Sequence, residues 1–288
     1  MASSAQSSVI QEVFANRKNL DGKTSRKSSI QHWIFRGISS SIPSVYFMNH
    51  SHRGVQEIIM AKNRPQKKNL LELLDSLIEE HHLLKHPFYR GWVEGTLPKE
   101  SLQLYAEQYY QHVRAFPENL KQLASRTSGN LAGIVEENLA EELNPVAPHP
   151  MLWRHFAQSL GVSEAALDNS RPLPGIAALL DTYDEVASEG TTTQAVAAFY
   201  AYESQVPEIA AQKMVGLRRF YDITEPRALA YFAAHEEADV RHRNAWRGWL
   251  SSQNDAGMFG ALCAAERGLK ALWGALDAVY PHAFAAKN

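Results

Sequence analysis

The chain has 288 residues, a formal net charge of −2 and hydrophobic side chains at 45% of its positions. This composition supports a sizeable hydrophobic core, and the length allows one or two domains. The near-neutral charge gives no electrostatic support for nucleic-acid binding, and no apolar run approaches the ~20 residues that span a membrane. Cys263 is the only cysteine, which excludes disulfides within the chain and cysteine-rich zinc sites; we expect a cytoplasmic protein.

Residues 1–66 differ in composition from the rest of the chain. They are rich in Ser and Asn, contain few acidic residues and show no sustained periodicity. Three interpretations are open: a disordered tail, a transit-like presequence, or an upstream extension before a true start at Met60. We expect a disordered or non-native extension with Met60 as the start, followed by one helical domain over residues 67–288.

From Leu70 onward the sequence predicts a succession of amphipathic helices. Apolar residues recur at helical spacing in "LLELLDSLIEEHHLLKHPFYRGW", "KESLQLYAEQYYQHVRAFPENLKQLASR", "GNLAGIVEENLAEEL", "MLWRHFAQSLG", "GIAALLDTYDEVAS", "TTQAVAAFYAYESQVPEIAAQKMVGLRRFY", "EPRALAYFAAHEEADVRHRNAWRGWLSSQ" and "GMFGALCAAERGLKALWGALDAVY". No alternating strand pattern of useful length occurs. We therefore predict an all-α fold, a single bundle of about seven to eight helices.

The second-last predicted helix contains "HEEADVRH", which places His235, Asp239 and His242 at positions i, i+4 and i+7. At ~100° per residue these side chains share one stripe with Phe232 and Trp246, so polar groups interrupt an apolar seam. The run can be surface charge, which is the usual fate of charged helical segments, or part of a metal site. This motif alone does not decide between the two.

The preceding predicted helix carries a similar interruption at Glu203. Its apolar face includes Phe199 and Met214, and Glu203 lies in the middle of that face. A lone buried carboxylate is costly unless it is neutralised or finds a cation or a hydrogen-bond donor. Tyr200 or Tyr202 could supply such a donor.

A third segment, "AEELNPVAPHPMLW", carries Glu142 and His149 seven residues apart. The two prolines between them favour a broken helix, and on spacing alone Glu137 and Glu141 are equal candidates. Together the three segments offer three carboxylates and three imidazoles. That set suits two metal ions inside a helical bundle, with iron or manganese as acceptable as zinc.

The chain from about Leu70 to Tyr280 resembles the haem-oxygenase-like, TenA/PqqC-type helical fold, and within it the CADD-like di-metal oxidases that synthesise p-aminobenzoate. The segments that carry the resemblance are "HPFYRGW", "YAEQYYQHVRAFP", "AEEL…PH…LW", "YAYESQVPEIAAQK" and "YFAAHEEADVRH". By this resemblance the metal ligands are Glu142, His149, Glu203, His235, Asp239 and His242. Glu203 would be a bridging or terminal carboxylate. The resemblance further implies two metal ions (Fe/Fe or Fe/Mn), dioxygen and an external reductant as co-substrates, and a homodimer.

The same resemblance implies an enzyme that consumes its own side chains for folate biosynthesis. Tyr89 would supply the aminobenzoate ring and Lys213 its nitrogen, and Tyr202 and Tyr105 would relay electrons or protons. From the residues alone, Tyr89 reads as an ordinary core tyrosine and Lys213 as a snorkelling or exposed lysine.

Three alternatives stay open. The first is a TenA- or PqqC-like enzyme, although Cys263 has no histidine or acid at a spacing that suggests a thiaminase nucleophile, and PqqC-type enzymes act on oxygen without a metal. The second is a di-metal oxidase of the same fold with an external substrate, such as a fatty acid or free amino acid. Only Tyr89 and Lys213 distinguish that enzyme from the self-consuming one. The third is a non-enzymatic protein-interaction protein.

Overall fold

The structure is a computed structural model that describes residues 67–280. The expected N-terminal extension, residues 1–66 with Met60, lies outside the described residues, as do residues 281–288. Within the described range the regular backbone is helical throughout and contains no strand. This confirms the all-α prediction. None of the helices in this range combines the length and apolar character that a membrane span requires.

The helices follow one another with short connections, and a 3₁₀ turn at Leu83–Lys85 separates the first two. In chain order they are α1 (Lys67–Glu80), α2 (Pro87–Glu94), α3 (Lys99–Ala124), α4 (Asn130–Glu142), α5 (His149–Ser159), α6 (Glu164–Asn169), α7 (Pro174–Ser188), α8 (Thr192–Glu203), α9 (Val206–Phe220), α10 (Pro226–Ser251) and α11 (Asp255–Val279).

Two segments that the sequence predicted as single helices are divided in the structure. The first predicted helix is split into α1 and α2 by the 3₁₀ turn. The segment from residue 192 to 221 is interrupted after Glu203, and α9 begins with Pro207 in its first turn. Proline fits the first turn of a helix but cannot continue one without losing a hydrogen bond. The bundle therefore has more and shorter helices than the expected seven to eight.

Both ends of α2 are fixed by side-chain and backbone geometry. His86 precedes the helix, and its Nδ1 accepts a hydrogen bond of 3.0 Å from the backbone N–H of Phe88. The other ring nitrogen, Nε2, lies 3.0 Å from a carboxylate oxygen of Asp277 on α11. Gly95 ends the helix at a φ of 70°, a left-handed conformation that glycine adopts without steric cost. These contacts fix the direction of the helix that carries Tyr89.

Helix α10 lies between several neighbours and carries the predicted polar stripe. It packs against α4, α5, α8 and α9, so groups from four helices can meet on its inner side. The buried side chains along that side are Ala228, Phe232, His235, Asp239, His242 and Trp246. The predicted seam is therefore confirmed as an inward-facing stripe, and the surface-charge interpretation of its three polar members is wrong.

Candidate metal centre

Two groups of three potential metal ligands lie inside the bundle. Triad 1 consists of Glu142, His149 and His235, and triad 2 of Glu203, Asp239 and His242. In each triad the ligand atoms lie within 4.8 Å of one another, and all six side chains are buried. The structure thus brings together the six residues that were predicted as metal ligands, and their ligand role stays a prediction.

The break between α4 and α5 builds triad 1. Glu142 is the last residue of α4 and His149 the first of α5, as the intervening prolines predicted. His149 Nδ1 lies 3.0 Å from Glu142 Oε1, and the His149 and His235 ring centroids are 4.3 Å apart. His235 Nδ1 donates a hydrogen bond of 2.7 Å to the Tyr231 carbonyl. Because that bond fixes the tautomer, Nε2 of His235 has its lone pair available for a metal.

Triad 2 joins the end of α8 to the middle of α10. Glu203 is the last residue of α8, and Asp239 and His242 lie one turn apart on α10. His242 Nδ1 lies 3.4 Å from Asp239 Oδ1 and 3.8 Å from Glu203 Oε2. Glu141 is not a member of either triad: it pairs with Arg241 at 2.6 Å, and its second oxygen lies 3.4 Å from His242 Nε2. Of the adjacent acids Glu141 and Glu142, it is Glu142 that is grouped with His149 and His235.

Burial and mutual interaction shift the pKa values of Glu203 and His242 in triad 2. Burial, followed by the nearby Asp239 carboxylate, raises the pKa of Glu203 to about 8. Burial disfavours the charged form of His242, but Asp239 and Glu203 outweigh it and raise the pKa of His242 to about 9. Glu203, Asp239 and His242 are therefore electrostatically coupled, and a divalent cation among them would stabilise the ionised carboxylates.

Several ligand atoms of triad 2 lack hydrogen bonds although they are buried. Asp239 Oδ2 has no hydrogen-bond partner, and the ring nitrogens of His242 approach carboxylate oxygens without hydrogen-bond geometry. Unsatisfied buried polar atoms are rare in proteins and indicate an additional group such as an ion. Histidine and carboxylate donors suit iron, manganese and zinc. The residues present therefore fit two metal ions.

Two side chains outside the triads donate hydrogen bonds to the Glu203 carboxylate. Asn138 Nδ2 donates hydrogen bonds of 2.8 and 2.9 Å to its two carboxylate oxygens. Trp246 Nε1 donates one of 2.8 Å to Oε2. The expected donors, Tyr200 and Tyr202, point their hydroxyls to other partners. Sequence reasoning missed Asn138, because nothing in its local pattern distinguishes it, and placed Trp246 on the seam without a role.

A cluster of buried tyrosines surrounds Lys213. The Tyr89 and Tyr105 hydroxyls lie 2.8 Å apart, and Lys213 Nζ donates a hydrogen bond of 2.8 Å to the Tyr105 hydroxyl. Nζ also lies 4.5 Å from the Tyr89 ring centroid. With 6% of its surface exposed, Lys213 is not the snorkelling or exposed lysine that the residues alone suggested.

Burial controls the protonation of this cluster. It lowers the pKa of Lys213 well below its usual value and raises the pKa of Tyr89 and of Tyr105 well above theirs. Both effects have one cause, since a low-dielectric interior disfavours the charged form of either group. The cluster thus favours a neutral amine beside neutral phenols, and a neutral amine is the nucleophilic form of lysine.

Tyr109 connects the predicted relay residues. Its hydroxyl donates a hydrogen bond of 3.2 Å to the Tyr202 hydroxyl, and its ring is stacked on Tyr105 with centroids 5.1 Å apart. Tyr202 therefore reaches Tyr105 through Tyr109. Tyr109 was not among the residues predicted from the sequence. Its position one helical turn after Tyr105 could have indicated that the two rings lie on the same face.

A small cavity lies between the tyrosine–lysine cluster and triad 1. Its volume is about 20 Å³, and Tyr89, Lys213, Tyr202 and His235 are among its lining residues. A cavity of this size holds roughly one water molecule. A diatomic molecule such as dioxygen is of comparable size.

Comparisons with known proteins agree with this architecture. A family model described as "Iron-containing redox enzyme" matches residues 103–269. The chain is 36% identical over 228 residues to the 4-aminobenzoate synthase of Chlamydia muridarum, which covers 79% of this chain and 93% of that protein. It is 36% identical over 219 residues to the 4-aminobenzoate synthase of Nitrosomonas europaea, covering 72% of this chain and 89% of that protein.

Among solved structures, a TenA homologue from Pseudomonas syringae pv. tomato superimposes with a TM-score of 0.66 at 17% sequence identity. The match covers 75% of this chain and 93% of that one. At this level of identity the likeness bears on the fold alone. It confirms the TenA-type helical fold that the sequence resemblance implied.

Proposed function

The chain belongs to the family of iron-containing redox enzymes, and we propose that within it the protein is an oxygen-dependent di-metal oxidase that forms 4-aminobenzoate from its own side chains. It is an oxidoreductase. The observation that carries the proposal is the placement of Tyr89, Lys213 and the triad 1 ligand His235 around one cavity. The similarity to two 4-aminobenzoate synthases over most of their length supports it.

Triads 1 and 2 would each hold one metal ion, as an Fe/Fe or Fe/Mn pair. Such ions, when bound, supply electrons to dioxygen and the oxidising power that acts on a phenol. The protein contributes the six ligands, a buried site that excludes bulk water, and a cavity of about 20 Å³ at the edge of triad 1. An external reductant would replenish the electrons.

Tyr89 contains the carbon skeleton of the product. Its Cβ is para to the oxygen-bearing ring carbon, just as the carboxylate of 4-aminobenzoate is para to the amine. Cleavage of the Cα–Cβ bond would free the ring, and oxidation of Cβ would give the carboxylate, with dioxygen as the oxidant. The hydrogen bond of 2.8 Å between the Tyr89 and Tyr105 hydroxyls gives the phenolic proton a path away from the ring.

Lys213 would supply the nitrogen. Its Nζ lies 4.5 Å from the Tyr89 ring centroid, and burial lowers the pKa of Lys213 well below its usual value. A lone pair on a neutral amine can form a bond from Nζ to the ring carbon that bears the phenolic oxygen, which would leave as water, whereas an ammonium group cannot. Two-electron oxidation of the Nζ–Cε bond, with dioxygen as the oxidant, followed by hydrolysis of the resulting imine would release the nitrogen with the ring and leave an aldehyde on the lysine chain. The hydrogen bond to the Tyr105 hydroxyl orients Nζ beside the ring.

The alternatives receive less support from the site. Tyr89 and Lys213, the two residues that distinguish a self-consuming enzyme from one with an external substrate, both line the cavity beside triad 1. A thiaminase needs a cysteine nucleophile at the site, but Cys263 lies on α11 and is not among the residues that line this cavity.

The test is product formation without added substrate. Protein is loaded anaerobically with Fe²⁺ and Mn²⁺, then given ascorbate and oxygen, and 4-aminobenzoate is measured by mass spectrometry together with the mass of the peptide that contains Tyr89. We expect up to one product per chain and a matching loss of mass from that peptide. A chain that holds two metals and forms no product, or product exceeding one per chain with Tyr89 intact, would overturn the proposal.

A further inference from the structure

The hydrogen bonds that hold Glu203 occupy most of its acceptor capacity. An ionised carboxylate offers about four lone-pair sites. Asn138 Nδ2 uses two of them, at 2.8 and 2.9 Å, and Trp246 Nε1 uses a third, at 2.8 Å. Oε2, which accepts from both donors, is also the oxygen near His242, whose Nδ1 lies 3.8 Å away.

The two triads are therefore held in different ways. In triad 1 His235 Nδ1 donates to the Tyr231 carbonyl at 2.7 Å, and His149 Nδ1 lies 3.0 Å from Glu142 without hydrogen-bond geometry. In triad 2 two neutral donors orient the carboxylate itself. Neutral donors fix its direction without cancelling its charge, so the affinity for a cation is kept.

We propose that Asn138 and Trp246 are positioning residues that orient the Glu203 carboxylate toward the triad 2 metal. This rests on the metal centre of the proposed function. The three hydrogen bonds fix the orientation of the carboxylate, and loss of either donor would let it turn away from Asp239 and His242. The affinity of triad 2 for its metal then depends on Asn138 and Trp246, whereas the affinity of triad 1 does not.

The location of the two donors is consistent with this role. Trp246 lies one turn beyond His242 on the inner stripe of α10, and Asn138 lies one turn before Glu142 on α4. Helix α4 thus contributes a ligand to triad 1 and an orienting donor to triad 2. Asn138 is 1% exposed and Trp246 is fully buried, so water cannot readily replace either donor if it is removed.

The variants N138L and W246F remove the donors with little change in side-chain volume. Matched controls are N119L, which alters a buried asparagine whose amide nitrogen has no hydrogen-bond partner, and W273F, which removes an indole donor from the His81 carbonyl. Full-length protein is loaded with Mn²⁺ alone, desalted and analysed for bound metal, and Mn²⁺ affinities are measured by titration with electron paramagnetic resonance. Circular dichroism establishes that each variant is folded.

We expect two metals per chain in the unaltered protein and in both controls. In N138L one of the two affinities should fall about 10- to 100-fold, and in W246F about tenfold, as is typical when a group that orients a ligand is lost. Adding H149A, which disables triad 1, to N138L should leave almost no tightly bound metal. Adding D239A instead should leave the single triad 1 metal unchanged.

Three results would decide against this assignment or its basis. Unchanged affinities in folded N138L and W246F would overturn the positioning role. An equal fall in both affinities would show that the two donors do not act on triad 2 in particular. An unaltered protein that binds no Mn²⁺ or Fe²⁺ would overturn the metal centre itself, and with it the proposed function.

Discussion

The nitrogen of Lys213 lies 4.5 Å from the centre of the Tyr89 ring, and both side chains are buried. They come from α9 and α2, two helices that are remote in the sequence but packed together. Gly216 makes this approach possible, because a Cβ at this position would lie 2.7 Å from Trp92 Cδ1. The contact between an amine and the ring it would aminate thus depends on a residue that has no side chain.

Gly216→Ala is expected to disturb this contact. The added methyl group must push α9 away from α2, and overpacking of this kind typically costs about 1–3 kcal/mol. Thermal unfolding should therefore occur at a lower temperature, and product formation should fall by more than the loss of folded protein explains. The control is Gly133→Ala on α4, where nothing lies within 4 Å of the added Cβ; it should be neutral or stabilising by roughly 0.5–1 kcal/mol.

Tyr89→Phe is expected to leave both metals bound and to reduce 4-aminobenzoate to background. Phenylalanine keeps the ring and its packing but lacks the hydroxyl whose proton and electron are lost on oxidation. The control Tyr183→Phe removes another buried hydroxyl, one that donates to the Ala198 carbonyl, and should form product normally. Undiminished product from Tyr89→Phe would mean that the ring comes from elsewhere.

Lys213→Met is expected to abolish formation of the amine while preserving the fold, because methionine fills a similar volume without an amino group. In unaltered protein made with lysine labelled with ¹⁵N at Nζ, the product should carry the label. Lys121→Met, which removes an exposed lysine paired with Glu118, is the matched control. Unlabelled 4-aminobenzoate from fully labelled protein would exclude Lys213 as the nitrogen donor.

Glu142→Ala is expected to reduce bound metal from two ions per chain to one. It removes a buried ligand of triad 1 and leaves triad 2 intact. Glu137→Ala changes an exposed acid on the same helix and should retain both ions. Metal content after desalting, measured by elemental mass spectrometry, distinguishes the two; equal loading of the two variants would contradict the assignment of triad 1.

His112 is expected to make stability depend on pH. Its ring is buried beside Tyr109 and Tyr202, neither nitrogen has a hydrogen-bond partner, and burial lowers the pKa of His112 to about 4. The unfolded chain, with a pKa near 6.5, binds a proton first as the pH falls. The neutral ring therefore makes its full contribution to the free energy of unfolding above about pH 6.5. This contribution declines by roughly 3 kcal/mol as the pH approaches 4.

The measurement is urea unfolding of the unaltered protein and His112→Leu between pH 7 and pH 4, at equal metal content. The packing cost of the substitution is the same at every pH. The informative quantity is therefore how the difference in free energy of unfolding between the two proteins changes with pH. That difference should shift by roughly 3 kcal/mol in favour of the variant toward pH 4. A difference that stays constant across this range would show that His112 does not titrate as described.

Local sequence patterns were sufficient for the helical fold and for placing several residues of the candidate metal centre. The 3.6-residue period placed His235, Asp239 and His242 on one inward stripe, and the prolines after Glu142 predicted the break that precedes His149. The split between α8 and α9 was missed, although Pro207 was visible, because the helical periodicity continues across it.

The sequence by itself determined which faces are apolar, where helices break, and that carboxylates and imidazoles interrupt the buried faces, since these depend on residues a few positions apart. Only the tertiary structure decided that Glu142 and not Glu141 joins His149, that Asn138 and Trp246 hold Glu203, and that Lys213 is buried against Tyr89 and Tyr105. Each of these depends on atoms of different helices that meet within a few ångströms. Such distances are set by how whole helices pack, and no local pattern encodes them.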